Sequence, residues 1–246
     1  MIIKIAIICL TMLGLAVISP AKSGSLQTDI ISTSKGDVEI TFIGHASLMF
    51  KFQDKVVQID PVSSEGDYSK LPKADLILIT HHHGDHFDVN TINQIRQKKT
   101  QIICTETCSK ELKNSVPVKN GDTISVKGIK IEAVPAYNLV HKRDNGQSYH
   151  PKGIGNGYVL TFGDTRVYIA GDTENFPEMK YIKDIDIAFL PMNLPYTMTP
   201  EMVAAAVNVI NPKILYPYHY GDTDVQQLLE ILKNKKDCEI RIRKLE

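Results

Sequence analysis

The sequence predicts one α/β domain built of layered sheets. Three observations point there. Short β-type runs alternate with amphipathic helical segments, no Gly/Ser/Pro-rich linker separates them, and one run, Leu76–Ile79, is continuously apolar, as a strand buried on both faces requires. With 43% hydrophobic and 23% charged residues, the 246-residue chain can bury a sizeable core without disulfide staples. Its 28 Lys+Arg balance 28 Asp+Glu, so no global field draws nucleic acid, and a small-molecule substrate is the expectation.

Residues 1–21 stand apart. Lys4 precedes an apolar run from Ile5 to Ile18, broken only by Thr11 and Gly14, and Ser19-Pro20-Ala21 supplies small residues for cleavage. This is the pattern of a secretory signal peptide. As a helix the run covers about 21 Å against a hydrocarbon core of about 30 Å, which favours cleavage over a retained anchor. The expected product is one domain over 22–246, periplasmic or extracellular, with no stable membrane anchor. It keeps Cys104, Cys108 and Cys238. A Cys104–Cys108 bridge and a pair of buried thiols both remain open, and the odd count does not suggest a disulfide framework.

Strands are expected at 38–42, 47–52 and 56–59, followed by the buried run 76–79. Helices fit 88–97 and 105–114, with a strand at 101–104 between them. Residues 123–126 and 129–136 flank Lys127-Gly128, and 156–162 and 165–170 flank Gly163-Asp164; both pairs read as hairpins with two-residue turns. A second buried strand is expected at 185–190. Thr199-Pro200 then caps a helix through 210. A strand at 214–218, a helix at 224–233 and a strand at 240–243 complete the chain. The stretch 137–155 exceeds the usual loop length and is a functional candidate.

The strongest chemical signal is Thr80-His81-His82-His83-Gly84-Asp85-His86, directly after the buried strand. In extended backbone His81 and His83 point one way and His82 the other. A turn at Gly84 would bring Asp85 and His86 back to the same point. Three imidazoles and a carboxylate suit Zn²⁺, with Mn²⁺ or Fe as competitors.

This His-x-His-x-Asp-His pattern resembles the signature of the metallo-β-lactamase superfamily. Further likenesses follow in order: Gly44-His45-Ala46-Ser47 and Ile59-Asp60-Pro61, Ala170-Gly171-Asp172-Thr173, and Tyr216-Pro217-Tyr218-His219-Tyr220-Gly221. The early pair resembles the ascorbate-lactonase-like branch. The resemblance implies a four-layer αββα sandwich, two mixed sheets with helices outside, and a metal site at one edge. It implies that His81 and His83 hold a first metal, that Asp85, His86 and His219 hold a second, and that Asp172 bridges them. The sequence departs from the branch at Pro135-Ala136-Tyr137-Asn138, where a ligand His is usual and Asn stands instead. His150 is the preferred substitute, as ligand or proton donor, and His141 the alternative. Asp60 is expected to orient a ligand from behind. His45 either contacts substrate or bonds its own loop, and Tyr196 either lines the pocket or packs.

The activity implied is that of an exported metallohydrolase, dinuclear with zinc, acting on an ester, lactone or phosphodiester. Asp85, Asp172, His150, His45 and Tyr196 are its candidate catalytic residues. Alternatives are a phosphodiesterase on lipid or nucleotide substrates, for which Lys142 and Arg143 could serve a phosphate, and a non-catalytic metal-binding or sensing protein. Antibiotic hydrolysis is disfavoured, because the early Gly-His-Ala-Ser motif is not characteristic of true β-lactamases.

Overall fold

The computed structural model describes residues 26–245; the signal-peptide expectation at 1–21 lies outside them. Two seven-stranded sheets face each other. In spatial order the first is β1 (Gln27–Thr33), β2 (Gly36–Gly44), β3 (Ser47–Phe52), β4 (Lys55–Ile59), β5 (Ala74–Leu78), β6 (Arg96–Cys104) and β7 (Val116–Pro117). The second is β8 (Thr123–Val126), β9 (Ile129–Ala136), β10 (Gly155–Phe162), β11 (Thr165–Ile169), β12 (Ile187–Pro191), β13 (Ile214–Tyr218) and β14 (Glu239–Ile240). Each sheet begins as an antiparallel meander and becomes parallel after its fourth strand. The parallel crossovers carry the helices α1 (Val89–Ile95), α2 (Glu106–Ser109), α3 (Pro200–Ile210) and α4 (Val225–Leu232).

Strand periodicity builds the layers. In β12, Ile187 and Phe189 enter the core between the sheets, while Ala188 and Leu190 turn outward beneath α3 and α4. In β5, Leu76 and Leu78 face inward and Ile77 packs under α1 with Ile92 and Ile95. Such doubly buried strands have to read as unbroken apolar runs. The result is the expected αββα order. Aromatic rings fill its middle, with Phe189 and Tyr216 stacked at 5.0 Å and Phe50 and Phe162 at 5.6 Å. Thr199 caps α3 by accepting from Met202 N at 3.2 Å, and Asn211 ends it in the left-handed region.

Several element boundaries differ from expectation. The helix at 88–97 stops at Ile95, because Arg96 turns extended and begins β6, which a register shift opposite Ala74 then carries to Cys104. The helix at 105–114 is a single turn. The last strand is Glu239–Ile240 rather than 240–243; Arg241 and Arg243 leave it to reach Asp29. Strand β1 was not foreseen, because its polar, half-exposed sequence lacks the buried-strand pattern, yet it pairs along β2 from Gln27 to Thr33. Cys104, Cys108 and Cys238 are free, buried thiols. No helix among the described residues is long and apolar enough to cross a membrane.

Candidate metal centre

The functional side chains sit just past the carboxyl ends of strands from both sheets. Asp60 follows β4, Thr80 to His86 follow β5, Asn138 follows β9, Asp172 follows β11 and His219 follows β13, while His45 sits in the β2–β3 turn. Hydrogen bonds tie the sheets together at this edge. His219 N donates to His45 O at 3.1 Å, Tyr158 Oη to Ile79 O at 2.8 Å, and Asn156 N to Thr80 O at 2.9 Å. His45, Asp60 and His219 all hold positive φ, between 43° and 48°, the strained backbone expected where a chain turns to present a side chain. Gly171 also needs its positive φ of 64°, since a Cβ there would meet Asn156 O at 2.9 Å.

The histidine segment behaves as its alternation requires. His81 is buried, His82 is exposed, and His83 meets His81 with 3.1 Å between Nδ1 and Nε2. Gly84 plays a smaller part than expected: its φ is not positive and a Cβ would have open space. The turn is made instead by His86 N and Phe87 N, both donating to His83 O at 3.0 and 2.9 Å.

Two clusters of donors result. In the first, His81 Nε2 and His150 Nε2 each lie 3.1 Å from His83 Nδ1. His81 Nδ1 is 3.1 Å from Thr80 Oγ1 and His150 Nδ1 is 2.6 Å from Asn138 Oδ1. Donating those Nδ1 protons leaves bare lone pairs at both Nε2 atoms. In the second, His86 Nε2 and His219 Nε2 approach Asp85 Oδ2 at 3.8 and 3.5 Å, with His45 Nε2 at 3.5 Å from the same oxygen. Asp172 lies between the clusters: Oδ2 is 3.2 Å from His150 Nε2 and 3.3 Å from His219 Nε2, and Oδ1 is 3.1 Å from His86 Nε2.

This arrangement fits metal ions. His86 Nε2, His219 Nε2 and Asp172 Oδ1 are buried close to one another but out of hydrogen-bonding alignment, and bare imidazole nitrogens converge in the first cluster. Buried polar atoms without partners are costly unless a cation occupies the space between them. The groups able to hold an ion are His81, His83 and His150; His45, Asp85, His86 and His219; and His81, His86 and Asp172.

Charge is distributed unevenly. Burial, and then the neighbouring His150 and His82 rings, pulls His83 down to about 4. Burial also holds His81 well below the usual histidine value, with His86 adding repulsion. Burial opposes charge on His86 and His219 too, but Asp172 outweighs it and both are raised, His86 strongly with help from Asp60. For Asp172 the cost of burial is overcome by His219 and His86, which hold its carboxyl well below the usual range.

Behind these groups lies a supporting layer. Asp60 Oδ2 accepts from His86 Nδ1 at 2.8 Å and from Thr80 Oγ1 at 2.6 Å, while its Oδ1 accepts from Thr80 N at 2.8 Å. Such a carboxylate fixes the tautomer and leaves Nε2 facing the site. The main residue that sequence reasoning missed is Glu174, fully buried two positions after Asp172. Its Oε2 accepts from Leu139 N at 2.7 Å and Val140 N at 2.6 Å. Its Oε1 accepts from His141 N at 2.7 Å, His141 Nδ1 at 2.5 Å and Asn138 Nδ2 at 3.2 Å. Of the two histidines left open for the first cluster, His150 joins it and His141 turns away to Glu174. Asn138, at the departure from the familiar pattern, holds His150 from behind. An acid at the i+2 position from Asp172 was the available signal, but its partners lie more than thirty residues away.

Tyr196 is 45% exposed and lines a cleft of about 320 Å³ over the clusters, together with His45, Arg143, Tyr149 and Asn193. Fold and site together define a metal-dependent hydrolase of the metallo-β-lactamase type. The chain belongs to the beta-lactamase superfamily, whose domain matches residues 39–219, and within it to the UPF0173 metal-dependent hydrolases. A relative of that description from Methanoculleus marisnigri is 32% identical over 204 residues, 80% of this chain and 87% of its own length. A crystal structure from Parabacteroides distasonis, described as a metal-dependent hydrolase, is 51% identical with a TM-score of 0.86, covering 90% of this chain and all of that one. A diiron β-hydroxylase from Streptomyces venezuelae shares the fold at 18% identity, with a TM-score of 0.67 over 86% of this chain and 53% of its own. These family matches do not reach the finer ascorbate-lactonase-like resemblance.

Proposed function

We propose that this protein is an exported dinuclear hydrolase, carrying zinc, that opens an ester, lactone or phosphodiester bond in a small molecule. The observation that carries this reading is the pair of donor clusters sharing Asp172, with buried nitrogens and a carboxylate oxygen that lie close together but out of hydrogen-bonding alignment. His81, His83 and His150 would hold one ion and Asp85, His86 and His219 the other, with Asp172 between them. When bound, such ions supply an activated water nucleophile at neutral pH and polarise the substrate oxygen.

The chain's own residues prepare that chemistry. Asp60 and Asn138 orient His86 and His150, so the reacting groups need little reorganisation. His45, its ring tilted by 42° against that of His219 with 3.8 Å between centres, faces the cleft beside Asp85, where its Nε2 can pass a proton to a leaving group. Tyr149 and Tyr196, edge to face at 5.1 Å, form an aromatic wall beside the reacting position. The ascorbate-lactonase-like motifs around His45 and Asp60 favour a lactone or other cyclic ester. Iron in a protein of the same fold makes it a competitor for zinc. The Asn138 departure is compatible with catalysis, because Asn138 Oδ1 accepts from His150 Nδ1 and positions that ring.

Elemental analysis of purified protein, paired with a screen of lactones, esters, phosphodiesters and β-lactams, tests the reading. Two metal equivalents and turnover that is lost in His81→Ala and Asp172→Ala are expected. Absence of bound metal, or full activity in both variants, would sink it. Export rests on the sequence alone and is tested by intact mass: loss of the first 21 residues supports it, and an unprocessed terminus refutes it.

A further inference from the structure

Arg143 stands out at the mouth of the cleft. Its loop is folded back by an antiparallel bridge between Lys142 and Ser148, by Arg143 N donating to Gln147 O at 2.8 Å, and by Gly146 N donating to Arg143 O at 2.8 Å. The guanidinium carbon lies 4.9 Å from the centre of the Tyr149 ring. Lys152 is engaged by Glu178 and His141 by Glu174, and Lys142 does not line the cleft, whereas no carboxylate pairs with Arg143 among the described residues. Tyr149 is itself fixed against Tyr196, and all three line the cleft with the donor clusters.

A guanidinium stacked on an aromatic face keeps its edge free for a two-pronged bond to a carboxylate or phosphate. Arg143 is the one lysine or arginine among the described residues that line the cleft. We propose that the cleft binds a small anionic substrate, its carboxylate or phosphate docked on Arg143, its body against Tyr149 and Tyr196, and its reacting bond over the donor clusters. The placement of the reacting bond rests on the hydrolase reading; the anion site stands on Arg143, Tyr149 and the cleft.

Calorimetric titration of wild type and Arg143→Gln with phenylacetate, phenylphosphonate and neutral phenylacetamide, each with and without added zinc, tests the proposal. Arg143→Gln is expected to weaken at least one charged probe about tenfold, with zinc present or absent, and to leave phenylacetamide unchanged. Which charged probe responds separates a carboxylate from a phosphate ligand. Equal affinities in wild type and variant overturn the proposal, as do a loss shared by phenylacetamide and a wild type that binds neither charged probe. Turnover is read separately. Metal-loaded wild type that binds anions through Arg143 but hydrolyses no ester, lactone or phosphodiester refutes the hydrolase reading and leaves the anion site standing.

Discussion

Glu174→Gln is the sharpest perturbation of the supporting layer. The carboxylate accepts five hydrogen bonds, three of them from the consecutive backbone N–H groups of Leu139, Val140 and His141. A glutamine amide loses least by keeping its oxygen toward His141 and Asn138, which turns its NH₂ group against the N–H groups of Leu139 and Val140. Bonds to a charged acceptor contribute about 1.5–3 kcal/mol each, so two lost bonds set a ceiling of about 3–6 kcal/mol. Leu139 and Val140 are exposed, at 46% and 65%, so their amides can turn to water and recover part of that. A local cost of about 2 kcal/mol is expected, equivalent to about thirtyfold faster amide exchange at 139–141. Asn138 keeps a bond, now to a neutral and weaker acceptor, and its second bond to Tyr196 O; the support behind His150 is loosened, and changes behind a ligand typically cost about 10–100-fold in metal affinity. Hydrogen exchange and competitive chelator titration measure the two effects. Unchanged exchange at 139–141 together with two equally tight metal equivalents would refute the reasoning.

Three further outcomes follow from the same geometry. Asp60→Asn removes the carboxylate behind His86, and chelator titration should show the second equivalent weakened about 10–100-fold while the first is kept; loss of both equivalents alike would contradict the division of ligands. In metal-free protein His86 and His219 have raised pKa values and His81 and His83 lowered ones. Metal uptake at neutral pH should therefore release protons from the His86–His219 site and few from the other, which calorimetry in buffers of different ionisation enthalpy reports. The same shifts give opposite stability trends. The lowered His81 and His83 cost stability as pH falls below about 6.5, where the unfolded imidazoles take protons first, and for His83 the loss ends near 4. The raised His86 and His219 contribute stability below that unfolded value and lose it as pH rises through their folded values. Gly171→Ala adds a left-handed penalty of about 1–2 kcal/mol to a close contact with Asn156 O, so chemical denaturation should show a loss of about 2–4 kcal/mol; a loss within about 0.5 kcal/mol would argue that the segment before Asp172 yields.

Much of the fold was legible because its signals are local. The apolar run at 76–79, the largely apolar segment 185–190, the Gly-containing hairpin turns and the Thr199-Pro200 cap each state their conformation within a few residues. Boundaries were less legible. At 88–97 the polar stretch after Ile95 suits a helix surface and an irregular strand equally, and only pairing with β5 decides between them. Strand β1 shows the same limit, since its strand character comes from β2 alongside it and not from its own side chains.

By itself the sequence determined the chemistry available: a run of histidines with an aspartate after a buried strand, later followed by Asp172 and His219. Those groups announce themselves by type and by alternation along one strand. Only the tertiary structure decided which long-loop histidine joins them, that Asn138 supports the cluster from behind, and that Glu174 anchors the loop. The physical reason is distance along the chain. His150, Asn138 and Glu174 act through partners twelve to sixty-seven residues away, and no periodicity within one segment encodes which loop the closing of two sheets brings to the same edge.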